Sequence, residues 1–203
     1  MTTELPERGA HQRGVYLVEF AILAAVFFLF VFALLELARA VYLWNMVHEV
    51  TRRAARAAAV SDFSSASRMQ GVRAQAVLRA APGQLPLGGG ISDDYVRIDY
   101  LSLADGAGGL PASVPVTAMP ACPQRNRINC LTDPHGASCI RFVRARLCLP
   151  GDAQLCDSVP YRPILPMLQM MFPGGAQAIG LPVASTVVVA ESLGQSGNSA
   201  FCP

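Results

Sequence analysis

Two sets of side chains in this sequence could do chemistry. The first is Glu19, the one charged residue in the apolar run from Val15 to Leu35. An ionised carboxylate buried in such surroundings costs several kcal/mol unless it is paired, so a Glu at this depth calls for a partner. The second set is six cysteines, Cys122, Cys130, Cys139, Cys148, Cys156 and Cys202, the first five separated by seven or eight residues each. No Cys pair stands at C-x-x-C spacing and no His/Cys pattern matches a structural zinc site. An even number of clustered cysteines reads instead as disulfides formed in an oxidising compartment.

Catalytic groupings are missing from the pattern. There is no G-x-S-x-G elbow and no P-loop, and Leu87-Gly88-Gly89-Gly90 lacks the lysine that phosphate binding needs. The histidines, His11, His48 and His135, fall in three different environments, and Asp93-Asp94 opens no recognisable calcium loop. The chain therefore reads as a non-enzyme with no cofactor, no metal and no small-molecule substrate. A net charge of +2 with no basic stripe also argues against nucleic acid as a partner.

The elements that must position Glu19 follow from the hydropathy pattern. With 203 residues, 52% of them hydrophobic, the chain suits one membrane segment and one small domain. Val15 to Leu37 is about 23 residues, roughly 34 Å of helix, enough to cross a bilayer in contact with lipid. Arginines flank both ends, so orientation has to come from the cysteines, which place the C-terminal part outside the cytoplasm. From Val15 to Val60 there is neither Pro nor Gly, and the helix is expected to continue to about Ala59. Leu43, Val47, Val50, Ala54 and Ala57 recur at four- and three-residue steps as one apolar stripe. Asn45, His48, Glu49, Arg52, Arg53 and Arg56 occupy the other faces.

Beyond the helix, Asp62 and Ser64 offer cap oxygens for a second helix over 65–81, ended by Pro82-Gly83. Residues 95–100 alternate as a strand, with Val96, Ile98 and Tyr100 on one face. Residues 104–139, rich in Gly, Pro and Asn, read as a long loop tethered by Cys122, Cys130 and Cys139. A strand follows over 140–149, and the turn Pro150-Gly151-Asp152 lets Cys148 pair with Cys156. The apolar stretch 161–172 offers Met167, Met170 and Met171 as core gap-fillers. Pro182 to Ser192 is a last strand, with Val183, Val187 and Val189 on one face, before a polar tail at 195–199. The expected fold class is α+β. A long N-terminal transmembrane and amphipathic helix packs on a small antiparallel sheet, with a second helix and a disulfide-tethered loop.

These residues carry a resemblance. Gly14 followed by Glu19-Phe20 resembles the processing site of type IVb prepilins, where Gly precedes the cut and Glu is the fifth mature residue. Together with Leu35-Glu36-Leu37-Ala38-Arg39-Ala40 and Arg52-Arg53-Ala54-Ala55-Arg56, it is similar to the TadE-like family, pilin-like proteins of the tight-adherence (Flp) pilus assembly system. The resemblance implies cleavage between Gly14 and Val15 by a prepilin peptidase. It also implies assembly through Glu19 and Phe20 with other pilin-like subunits and the assembly platform. Phe20 stands where the major Flp pilins usually carry Tyr, which points to a minor component. The implied layout is a cytoplasmic leader 1–14, an inner-membrane helix 15–37, its periplasmic continuation 38–60, and a periplasmic α+β domain 61–203 with a Cys-rich loop at 104–156. Two other readings are a membrane-anchored periplasmic binding or sensor domain, and a secreted disulfide-rich protein cleaved after Ala40. The mature N-terminus separates them: Val15 for the first, Met1 or Thr2 for the second, Val41 for the third.

Overall fold

The absence of helix breakers after Val15 has its counterpart in a single element, α1, Gln12–Ala59. The computed structural model describes residues 12–105, 111–151, 155–164 and 180–194. By internal contacts the chain divides into two units, Met1–Ala40 and Val41–Pro203.

In the first unit α1 is apolar on every side. Leu17 is 71% exposed, Phe20 72% and Leu35 61%. Phe27, Phe28 and Phe32 pack edge to face and stacked along the helix. At the end of this unit Glu36 and Arg39 form a buried pair at 3.2 Å, one turn apart.

The second unit opens with α1 from Val41 onward. Here Leu43, Val47, Val50, Thr51, Ala54, Ala55, Ala58 and Ala59 are buried. That face lies on a four-stranded antiparallel sheet built from β1, Val96–Asp105; β2, Pro111–Pro115; β3, Phe142–Leu147; and β4, Ser185–Val189. Strand order is β2-β1-β3-β4. Val96, Ile98 and Tyr100 pair with Leu147, Ala145 and Val143 across β1 and β3. All six share the inner face. The hydroxyl of Thr51 meets that of Thr186 on β4 at 3.0 Å, which satisfies a polar group in the core. Ala58, Ala59, Met69, Val72, Ile140, Val143 and Leu193 form a core cluster, with Phe63, Tyr100 and Val188 against it. Burial pushes the Tyr100 hydroxyl above its ordinary pKa, and the hydroxyl reaches the Met69 Sδ at 3.6 Å.

The outer face of the sheet is charged. Asp99 on β1 accepts from Arg144 at 3.2 Å and from Arg146 at 2.7 Å, both on β3. Facing positions in neighbouring strands hold these opposite charges together.

Several expectations are corrected. The second helix, α2, is Ala66–Ala76 with Ser65 as its N-cap, shorter than the expected 65–81. It stops because Leu78 takes φ +63 and closes a reversed turn, with Arg79 N donating to Ala74 O and Leu78 N to Gln75 O. Leu78 is therefore half-exposed, and Val77 fills the core in its place. The stretch expected as one long loop, 104–139, carries the end of β1, β2 and a helix, α3, Pro123–Thr132. Pro123 starts α3, where a missing N–H costs nothing. Asn126 fixes α3 by accepting from Ile140 N at 2.7 Å and donating to Ile140 O at 3.3 Å. The last two strands are shorter than expected, Phe142–Leu147 and Ser185–Val189.

Past β4 the chain caps α1. The N–H groups of Glu191 and Leu193 both donate to Ala59 O, at 3.2 and 3.0 Å. This carbonyl belongs to the last turn of α1, which has no partner within the helix. The turn is possible because Gly194 takes φ +75 hard against Asp62, where an added Cβ would lie 2.3 Å from the Asp62 nitrogen. Gly194→Ala is therefore expected to cost roughly 1–3 kcal/mol through backbone strain and the lost close approach. The check is the midpoint of urea unfolding; an unchanged midpoint would contradict the role of this turn.

Candidate functional site: the N-terminal helix and its unpaired carboxylate

Gln12, Arg13 and Gly14 begin α1, no acidic residue lies in its first turn, and the apolar run starts at Val15. Val15 and Glu19 are one turn apart, about 6 Å along the axis. Both are exposed, Val15 at 65%, as is Phe20 at 72%. Glu19 makes no hydrogen bond or ion pair among the described residues. The most apolar window of this helix has a mean hydropathy of 2.8, and none of it is buried within the chain. The helix is thus long and apolar enough to cross a membrane, and it is compatible with a single-pass anchor.

The other two carboxylates of α1 have partners within the chain. Glu36 pairs with Arg39. Glu49 receives the Arg53 guanidinium at 2.6 Å, which holds its carboxyl below the ordinary value. Glu19 differs from both: it has no basic residue three or four positions away, since Val15, Tyr16, Ile22 and Leu23 fill those places.

Residues 14–56 match the family model described as TadE-like protein. The N-terminal segment is thus similar to that family, over 43 of the 203 residues. The match covers the length of α1 from Gly14 almost to its end and stops before α2. It contains Gly14, Val15, Glu19 and Phe20, and it agrees with the resemblance read from those residues. TadE-like proteins are pilus-associated and pilin-like, and the family is in general structural, not enzymatic. Comparison with curated proteins and with solved structures gives no significant match.

The cysteines lie apart from the TadE-like segment. Cys130 is bonded to Cys139, which ties the last turn of α3 to the approach to β3. Cys148 is bonded to Cys156 across the Pro150 turn. Cys122 is also disulfide-bonded, and Cys202 lies outside the described residues. So do Met167, Met170, Met171 and the tail from 195 onward. Asp93, considered above for calcium, is buried and its Oδ1 accepts from Gly83 N at 2.9 Å. His48 lies on α1 and His135 in the turn after α3.

One arrangement was not foreseen from the sequence. A groove of about 600 Å³ opens between α3 and the end of β4, lined among others by Arg127, Leu131, Arg141, Phe142, Val189 and Glu191. It depends on α3 being a helix, which the Pro- and Asn-rich composition had concealed.

Because Glu19 is exposed and makes no hydrogen bond or ion pair among the described residues, its removal should leave the fold alone. Glu19→Ala in the detergent-solubilised chain is expected to change stability by less than about 0.5 kcal/mol, as surface substitutions do. Thermal unfolding followed by circular dichroism checks this; a large drop would mean that Glu19 has an internal partner.

Proposed function

We propose that this chain is a minor pilin-like component, a pseudopilin, of the tight-adherence pilus assembly system. It sits in the inner membrane through residues 15–37, with the leader 1–14 in the cytoplasm and the disulfide-bonded domain in the periplasm. A prepilin peptidase cuts after Gly14 and frees the amino group of Val15, which is cationic near neutral pH. In a stack of parallel helices that amine meets the Glu19 carboxylate of a neighbouring subunit. Each charge then satisfies the other in a medium where neither can stand alone. The one-turn offset between the two groups sets the axial register between subunits.

The observation that carries this reading is the isolation of Glu19. It is an exposed, unpartnered carboxylate on a helix that is otherwise apolar for five turns and unburied by its own chain. The TadE-like match over the same residues supports it. The disulfides support the periplasmic side, since such bonds persist in an oxidising compartment.

Removing one partner of a buried pair costs about 3–5 kcal/mol. Glu19→Ala is therefore expected to insert normally in the native membrane but to enter the pilus assembly at least about a hundred-fold less, at about 1.4 kcal/mol per factor of ten. Quantitative immunoblotting of membrane and assembled fractions reads both terms. Normal incorporation of the variant would overturn the proposal.

A further inference from the structure

The two edges of the sheet are built differently. On the β2 side, Val116 N donates to Tyr100 O, so residues 112, 114 and 116 face β1 and residues 111, 113 and 115 face outward. Two of those three outward positions are Pro111 and Pro115, which have no N–H. Proline at such positions blocks strand addition. On the β4 side, Ala190 N donates to Arg141 O and Leu147 N to Ala184 O, so 184, 186, 188 and 190 face β3. Ser185, Val187 and Val189 therefore turn their backbone groups outward. No hydrogen bond to those outward groups exists among the described residues. The strand Ser-Thr-Val-Val-Val has no proline, no charge and no bulge. Val187 is 49% and Val189 64% exposed.

Natural sheets guard an edge of this kind unless it is used. A second copy does not fit it. Pairing β4 with β4 is antiparallel about a two-fold normal to the sheet. α1 runs in the same direction as β4, since Thr51 meets Thr186 and Ala59 O receives Glu191 N. The two-fold would therefore run the Val41–Ala59 part of one α1 antiparallel to the other, against the parallel stack of helices proposed above. This step rests on the membrane reading given above. Pairing β4 with the β2 edge of the next copy keeps the helices parallel but leaves Ser113 as the one outward donor of β2.

We propose that β4 is a docking edge for an extended segment of a different polypeptide, which adds to the sheet as a fifth strand beside Val187. Its main chain bonds to Ser185, Val187 and Val189, and its aliphatic side chains cover the two valines. Where it passes the groove between α3 and β4 it carries an acidic residue. Arg127 and Arg141 line that groove, both exposed and neither in an ion pair among the described residues, against one carboxylate, Glu191.

The test uses the full chain in its native membrane with the photo-crosslinker p-benzoylphenylalanine at position 189. The expected product is an adduct with a different polypeptide, cut at least ten-fold by Val187→Pro, which removes one outward donor and no inward one. Val189→Arg, which keeps its N–H and needs no backbone change, serves in immunoprecipitation if Val187→Pro misfolds; the same ten-fold loss of the partner is expected. Formation of the Cys130–Cys139 and Cys148–Cys156 disulfides in each variant reports folding. A homodimeric adduct, no adduct, or an adduct that survives both Val187→Pro and Val189→Arg in folded protein would overturn the proposal. Intact mass of the same sample reads the N-terminus, so a failed membrane and processing reading is seen separately from a failed docking edge.

Discussion

The face of α1 from Leu43 to Ala59 cannot be left in water, and the rest of the domain is arranged to cover it. Eight of its residues are buried, all small or aliphatic except Thr51. Ala54, Ala55, Ala58 and Ala59 let the sheet approach closely, and the Thr51–Thr186 contact fixes where β4 crosses the helix. The returning chain then closes the end of α1 through two hydrogen bonds to Ala59 O. The sheet's inner face, the α2 packing and the Gly194 turn all serve this one buried helix face. The same helix carries Glu19 in its N-terminal part, where no such cover exists within the chain.

The contrast between the two parts of α1 is the physical basis of the functional reading. In the second part, every buried polar group on the helix has a partner: Thr51 has Thr186 and the His48 carbonyl. In the first part, Glu36 has Arg39. Among the described residues Glu19 has no partner, and its surroundings are apolar. A carboxylate left like this is either neutralised or satisfied from outside, and the amine that the proposed cleavage would free at Val15 offers the second route at a matching axial spacing.

Much of this was legible in the sequence because it rests on periodicity. The unbroken helix, the stripe at Leu43, Val47, Val50 and Ala54, and the alternation at Val96, Ile98 and Tyr100 are local patterns that burial enforces. The buried face proved wider than the stripe, taking in Thr51, Ala55 and Ala58, while Ala57 is only half-buried. What stayed hidden depends on contacts distant in sequence. Nothing local marks Leu78 as a left-handed helix stop, since glycine normally holds that place. α3 forms from a loop-like composition because Asn126 bonds the Ile140 backbone and Cys130 is tied to Cys139. β2 sits between two prolines and forms because β1 offers it a partner. The alternation of Val183, Val187 and Val189 was visible, but not that these valines face outward. The residues of the proposed site, Gly14, Val15, Glu19 and Phe20, could be named from the sequence, whereas the groove beside β4 could not.

The central claim is that the partner of Glu19 is an amine that exists only after cleavage. The most direct measurement is the mature N-terminus of the protein isolated from its native membrane, by intact mass and N-terminal sequencing. The account predicts Val15 as the first residue. A mature chain that begins at Met1 or Thr2, or at Val41, would contradict it.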